Sequence, residues 1–467
     1  MKKMLFAPVL AFGLAMVLSA CGDDPSAAPD PVVIPTQSSG ALPPASSESM
    51  GGGGAVAQAP YGILPTTANP TRTMEWYNLW KGTYYKTYIE EAASYPVLAS
   101  DWGTVFGTFT ANGMFPARIV WDTNDDSYCV IDECTNSYKK RGCTVSEGIG
   151  YGMLITLFMG DMDAYNSLWY YNMGYRQYQG VNNLMPWRTG TYSYESLGSN
   201  ANASSATDAD LDIATSLVLA YYSTGNAAYL NDALLVINSI WDEEISPAKL
   251  IYSGNTATWK TATSAYNLSY FSPVAIKLFA LVDKAHDWTG VLDAMYSYMI
   301  AVQAKGPGLI PDWSDANGNP VDPKNGSAAK TYWRFFHEAV RVPWRIAWDY
   351  YWTQDPRAQQ VLAGMNGFIV EKTGGDPNNL LTTAGEHIYS AVAGMPDSTL
   401  KKQNMQTHFH GAWCLTGMGG NQAWIDACTM AFNAKDISGF SYFPHILMTM
   451  YGELLNGYFK KPALLPL

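Results

Sequence analysis

The sequence predicts an all-α domain of twelve helices joined as successive hairpins over residues 73–467. Three observations predict it. Apolar residues recur with a helical period along the whole stretch. Alternation of the strand kind is scarce. Several helical segments meet across very short turns, "GD" at 160–161, "STGN" at 223–226 and "TQDP" at 353–356, and short connections make neighbours antiparallel. Helices in successive hairpins can close into a double ring with inner and outer helices alternating. An open solenoid is the other arrangement, but it calls for a fixed repeat that this sequence lacks.

In chain order, residues 1–21 come first. Two lysines precede an apolar run that ends in Leu18-Ser19-Ala20-Cys21. This is the pattern of a secretory signal, too short to span a bilayer. Its last four residues resemble a bacterial lipobox. That resemblance implies lipidation at Cys21 and an exported protein anchored at the outer membrane or cell surface. An ordinary secreted protein is the alternative. Residues 22–72 are rich in Pro, Ser, Gly and Ala and poor in aromatics. They bury too little apolar area to offset chain entropy and read as a flexible tether. The helical segments follow at 74–92, 145–160, 163–178, 208–223, 227–241, 266–284, 288–304, 333–352, 355–373, 383–394, 420–433 and 442–458. The segment "SEGIGYGMLITLFMG" is glycine-rich and apolar on both faces. Glycine is costly in a helix, so its use here implies close approach of another backbone or of a ligand.

Composition narrows the function. A net charge of −12 argues against a nucleic-acid partner. The 16 Trp and 31 Tyr suit both a packed core and stacking on sugar rings. Of the cysteines after Cys21, Cys414 and Cys428 form a plausible local pair in an exported chain. Two of Cys129, Cys134 and Cys143 can also pair. A zinc site there has no CxxC or nearby His to support it. Neither a cofactor nor a metal is expected, and a monomer is.

Two stretches carry candidate chemistry. In "CTVSEGIGYGML" (143–154), Glu147 opens an apolar helix. The helix dipole favours its charge, whereas desolvation pushes it toward the protonated acid that general-acid catalysis requires. A capping arrangement, Ser146 at the N-cap and Glu147 in the first turn, is the plainer reading. In "SSATDADLDIATSLVLAYY" (204–222), Asp208, Asp210 and Asp212 stand at spacing two. Thr207 or Asp208 as N-cap explains one or two of them. Three together repel, and a metal or sugar hydroxyls would relieve that. The spacing suggests calcium, but no Gly turn or terminal Glu follows as in an EF-hand loop.

A-T-D-A-D-L-D-I-A-T-S-L-V-L-A resembles, position for position, the signature of glycoside hydrolase family 8. That family includes bacterial cellulases, chitosanases, xylanases and lichenases. "TVSEGIGYGML", "NNLMPWR" (182–188), "YNLSYFSP" (266–273), "GLIPDW" (308–313) and "AVRVPWRIAWDY" (339–350) are similar to family segments in the same order, over about residues 73–460. The resemblance implies an (α/α)6 barrel and an inverting endo-β-1,4-glucanase, cellulase-like, acting on a polysaccharide. It implies Glu147 as general acid. It implies Asp208 as the residue bonding the sugar at the cleavage subsite, and Tyr270 as the residue positioning the water. Arg341 then supports base and sugar, with Trp187 and Trp259 as stacking platforms.

The base slot departs from the cellulase branch, which reads Y-D-A-x-R. Here His337 and Glu338 stand in "FHEAVR". Glu338 keeps the charge and adds one methylene, about 1.5 Å. It is the candidate base, and an ion pair with Arg341 or Arg334 is its simpler reading. In the chitosanase-like branch a loop carboxylate serves, so Asp312, Asp315 and Asp322 are reserve candidates. His337, His408 and His410 receive no role. Trp344 and Trp348 read as core at helical spacing. Xylanase and chitosanase activity, a non-catalytic glycan-binding lipoprotein and a polysaccharide lyase are the competing readings. The lyase fits least, because the acidic charge opposes an anionic substrate.

Overall fold

Helix starts in this chain follow its punctuation. Asn69, Asn226, Asp287, Asp355 and Asn421 each accept a backbone N–H of the helix they cap. Proline stands at the first or second position of the helices that begin at Pro70, Pro96, Pro273, Val342 and Pro356, where its missing N–H costs nothing. The computed structural model describes residues 63–94, 96–121, 144–179, 182–189, 204–260, 265–323, 332–401 and 408–467, all within the unit spanning residues 37–467. Cys21, most of the 22–72 tether and Cys129, Cys134 and Cys143 lie outside the described residues.

Six helices form a closed inner ring. They are α4 (Ser146–Phe158), α6 (Thr207–Thr224), α8 (Pro273–Val282), α10 (Val342–Thr353), α12 (His408–Thr416) and α14 (Tyr442–Leu455). Each packs on the next, and α14 packs back on α4. An outer helix backs each one: α5 (Met162–Gln179), α7 (Ala227–Glu244), α9 (Trp288–Gln303), α11 (Pro356–Thr373), α13 (Gln422–Asn433) and α1 (Pro70–Tyr84). This is the twelve-helix (α/α)6 barrel. Two further helices, α2 (Tyr88–Ser94) and α3 (Pro96–Ala111), are added between α1 and α4, and α3 lies on α5. Three two-stranded antiparallel pieces complete the described structure: β1 (Tyr85–Thr87) with β2 (Ala117–Ile119), β3 (Thr144–Val145) with β4 (Arg188–Thr189), and β5 (Gly385–Ile388) with β6 (Ser398–Lys401).

The inner helices are buried all round, which explains their apolar or small residues on every face. Residues 207–220 of α6 and all of α12 are buried. The outer helices keep one stripe, as in α7, where Tyr229, Ala233, Val236, Ile237 and Ile240 face inward. Trp344, Trp348 and Trp352 of α10 are buried and pack edge-on or tilted with each other and with Phe158 and Phe459. The core reading of Trp344 and Trp348 holds. Cys414 and Cys428 form the expected disulfide, joining α12 to α13.

Several expected boundaries move. The 383–394 segment is not a helix. It holds β5, flanked by Gly385 (φ 148°) and Gly394 (φ 78°) in conformations that glycine adopts at no steric cost. The inner helix α12, at 408–416, takes its place in the ring, so twelve is right by substitution. The segments 266–284 and 333–352 become helical only at Pro273 and Val342. Their first parts are irregular chain with short 3₁₀ turns at Leu268–Tyr270 and Ala339–Arg341. The 74–92 segment breaks at Tyr85, where the chain pairs with β2. The expected caps also differ. Val145 and Ala206 are the N-cap residues of α4 and α6, without side-chain bonds. The Ser146 N–H donates instead to the Trp187 carbonyl at 2.8 Å.

Of the glycines of α4, Gly150 lies against another backbone, whereas Gly148 and Gly152 lie against side chains. A Cβ on Gly150 would sit 3.1 Å from the Ala209 carbonyl oxygen and 3.0 Å from Asp212 Cβ. Gly150→Val should therefore wedge α4 from α6 and destabilise the fold by about 1–3 kcal/mol in urea unfolding.

Candidate active site

Glu147 is the second residue of α4 and Asp208 the second of α6. Arg341 is the N-cap residue of α10, and Tyr442 opens α14. Four inner helices thus present their N-terminal ends to one place, where their dipoles favour carboxylates. Glu338 and Tyr270 come from the irregular turns that precede α10 and α8.

Arg341 joins these groups. Its Nη1 donates to Glu147 Oε2 at 2.7 Å, to Asp208 Oδ2 at 2.9 Å and to the Tyr151 hydroxyl at 3.2 Å. Its Nη2 donates to Glu338 Oε2. The guanidinium lies over the Tyr270 ring, 5.4 Å from its centroid, with Phe443 at 5.8 Å. One guanidinium spanning both glutamates keeps the contacted oxygens within about 8 Å, which admits the roughly 6.5–9.5 Å that a water between acid and base requires.

Each glutamate has a second support. The Tyr442 hydroxyl donates to Glu147 Oε1 at 3.0 Å. Asn267 Nδ2 donates to Glu338 Oε2 at 2.6 Å, and the amide is oriented by the Ser269 N–H and hydroxyl, which donate to its oxygen. Both bonds to Glu338 fall on Oε2, so Oε1 accepts none among the described residues. The Glu338 side chain is 31% exposed and that of Asp208 only 2%. The first is open to solvent from the cleft, and the second is sealed beneath it.

Burial pushes the Glu147 carboxyl up to about 7, against the pull of Arg341 and with the repulsion of Asp208. Asp208 is also raised, by burial, with Arg341 pulling it back. Burial drives His337 down to about 4, so it is neutral at physiological pH.

The three aspartates separate by helical geometry. Asp208 and Asp212, four apart, share a face, whereas Asp210 points away. Arg341 neutralises Asp208. Arg345, fully buried, forms a two-nitrogen pair with Asp212 and lies 4.2 Å from the Trp344 centroid. Their side chains do not converge on a common point. Among the described residues the one group of metal-ligating atoms close enough to share an ion is His410 with Cys414 and Cys428, and those cysteines are bonded to each other. The calcium suggestion is not supported.

Asp312, a reserve candidate for the base, is buried and bonded to the turn that carries Glu338. Its Oδ1 accepts the N–H groups of Phe336, Glu338 and Ala339 at 3.0, 3.2 and 2.9 Å, shaping the turn that carries Glu338. Asp315 organises the turn at 315–319. Asp322 lies near enough to Tyr332 to act on it electrostatically, as Asp312 and Glu338 do. Trp187 is half-buried, edge-on to Trp121 at 6.4 Å. Trp259 stacks on Trp313 at 5.8 Å, and Trp313 meets Tyr270. Sequence reasoning did not single out Asn267, Trp313 or Tyr442. The first two lie inside quoted motifs. Tyr442 stands 295 positions from Glu147 with no local signal.

A closed double ring of helices that brings one glutamate from an inner N-terminus and one from an approach turn onto a shared arginine is an arrangement suited to acid–base cleavage of glycosides. The model of glycosyl hydrolases family 8 matches residues 119–408. The chain belongs to that family and is a glycoside hydrolase. It is similar to a beta-glucanase of Niallia circulans, 29% identical over 326 residues, 65% of this chain and 78% of that one. It is also similar to endoglucanase 2 of Ruminiclostridium josui, 32% identical over 50% of this chain and 48% of that one, so it spans about half that relative's length. The fold is that of a beta-1,3-1,4-glucanase from Paenibacillus sp. X4, with TM-score 0.64 and 22% identity, covering 85% of this chain and 95% of that one.

Arg341 faces three carboxylates, so its removal leaves buried charge unpaired. Arg341→Met should cost about 3–5 kcal/mol in denaturant unfolding at neutral pH. For Glu147 the sign follows from its raised position. The folded state keeps a proton between the ordinary carboxylate range and about 7 that the unfolded state releases, so stability falls as pH rises through that window. Glu147→Gln should remove that part of the pH slope.

Proposed function

We propose that this glycoside hydrolase is an inverting endo-β-1,4-glucanase with Glu147 as general acid and Glu338 as general base. The observation that carries the reading is the Arg341 bridge. It holds a carboxyl raised to about 7 opposite one that is open to the cleft. Glu147 retains its proton near neutrality and delivers it to the leaving glycosidic oxygen. Glu338, paired with Arg341 and oriented by Asn267, uses Oε1 to take a proton from the attacking water. Asp208 bonds the sugar at the cleavage subsite. Tyr270, beside the guanidinium, orients the water, and Trp187 and Trp259 stack on neighbouring sugars. The support of Glu338 by Asn267, Arg341 and Asp312 favours a site rebuilt around glutamate over a lost base. The glucan substrate follows the names of the relatives, and xylan and chitosan are the substrates that compete with it.

The exported, lipid-anchored state is part of the same proposal and rests on Leu18-Ser19-Ala20-Cys21. A surface-tethered enzyme meets a polymer too large to enter the cell. Palmitate labelling lost in Cys21→Ser tests it.

Residues 63–467 assayed on carboxymethylcellulose, lichenan, xylan and chitosan should prefer the first two. Glu147→Gln and Glu338→Gln should each lower kcat by about 10²–10⁴, and NMR should detect the α-anomer first. Wild-type kcat should fall above about pH 7 as Glu147 loses its proton. Hydrolysis that survives Glu338→Gln removes the base assignment, and wild type inert on all four polymers removes the enzyme reading.

A further inference from the structure

We propose that Asp210 and Glu244 share a single proton, and that this acid–carboxylate pair clamps the cleft wall that carries Trp187 and sets the entry of α4. Asp210 lies on the face of α6 opposite Asp208 and Asp212, and Glu244 is the last residue of α7. Both are fully buried. Each uses one oxygen on the cleft wall. Asp210 Oδ1 accepts the Met185 N–H at 3.3 Å, and Glu244 Oε1 accepts the Ser205 hydroxyl. The other oxygens, Asp210 Oδ2 and Glu244 Oε2, are enclosed and accept nothing from any third group. The two carboxyls stand within hydrogen-bonding reach of each other.

Among the described residues no cation is bonded to either carboxyl, and Arg176 acts on Asp210 only through space. Arg176 of α5, which faces Asp210, is bonded to Asp232 and Asn172. The other charged group facing the pair is Asp208, itself anionic or paired with Arg341. The Thr207 hydroxyl is the remaining polar neighbour. Two buried carboxylates without a cation are not sustainable, whereas one proton between them satisfies both orphan oxygens.

The pair is tied to the site by a chain of bonds. Ser205 and Asn255 exchange two bonds, from Ser205 N–H to Asn255 Oδ1 at 2.9 Å and from Asn255 N–H to Ser205 Oγ at 3.2 Å. The Trp187 N–H donates to the Ser204 carbonyl, and the Trp187 carbonyl accepts the N–H of Ser146, the residue before Glu147, both at 2.8 Å. Met185 and Ser205 are therefore the points where the pair holds the platform and, through it, the general-acid position. Asp210 and Glu244 are positioning residues and touch no substrate. Burial raises both carboxyls, Glu244 to about 7. Below that pH the clamp is closed. Above it, two negative charges repel and the Met185 and Ser205 bonds loosen.

The readout needs no substrate, so it is independent of the glucan reading. Hydrogen exchange of peptides covering 182–189 and 204–210 is followed in the full-length protein from pH 5.5 to 9, corrected for intrinsic rates. Wild-type protection should fall about tenfold per pH unit up to about pH 7, where the open state has released the shared proton and the closed state still holds it, and should level off above. Asp210→Asn and Glu244→Gln should each hold protection level across the range, because an amide donates at every pH. If one variant fails to fold, the other and the wild-type profile still decide. A wild-type profile without the fall overturns the proposal, as does a fall that persists in both amides. A fall abolished instead by Glu147→Gln assigns it to the general acid and overturns it too. So does alkaline protection restored to wild type by added calcium, which would make the pair a cation site.

Discussion

The site depends on one guanidinium. Arg341 meets Glu147 from α4, Asp208 from α6 and Glu338 from its own approach turn, with Tyr270 and Phe443 against its faces. Without that cation, three carboxylates in a largely enclosed space would each gain a proton or move apart, and no fixed separation between two of them would survive. The planar fork of arginine suits this better than lysine, because its nitrogens address different carboxylates at fixed angles. The ring architecture serves that contact. Closing six inner helices side by side into a ring brings residues 147 and 341 into hydrogen-bonding distance.

Around this centre, two kinds of support recur. Polar groups that never reach the cleft shape the chain that does. Asp312 gathers three N–H groups so that the turn at 336–339 presents Glu338. Arg345 holds Asp212 and donates to the Ser269 carbonyl, fixing the turn that carries Tyr270 and Asn267. Gly150 of α4 lets α6 come close enough for Asp208 to lie under Glu147's arginine. The extra methylene of Glu338 is accommodated by the same devices, since Asn267 and Arg341 both grip its Oε2.

Much of this was legible in the chain. The period of 3.6 and the short turns named the helices, and the ordered motifs named Glu147, Asp208, Tyr270, Glu338 and Arg341. What misled was local preference where tertiary contacts prevail. The run at 383–394 has the apolar content of a helix, yet pairs as a hairpin with 398–401. Residues 408–416 carry Phe409, Trp413, two histidines and a glycine among buried positions, a weak helical pattern because a helix enclosed on every side has no polar face to mark it. Ser146 reads as an N-cap, but the Trp187 carbonyl has taken its N–H.

The sequence by itself determined the class of fold, the identity of the candidate acid and base, and the presence of too many aspartates at the head of α6. The tertiary structure alone decided where those aspartates send their charge. Asp208 goes to Arg341, Asp212 to Arg345, and Asp210 away from both toward Glu244. The reason is physical. Spacing along a helix fixes the direction of a side chain, but the free energy of a buried carboxyl depends on which cation, amide or second carboxyl closes on it from elsewhere in the ring. Those partners stand up to 133 residues from the aspartates they meet, a distance over which no local pattern speaks.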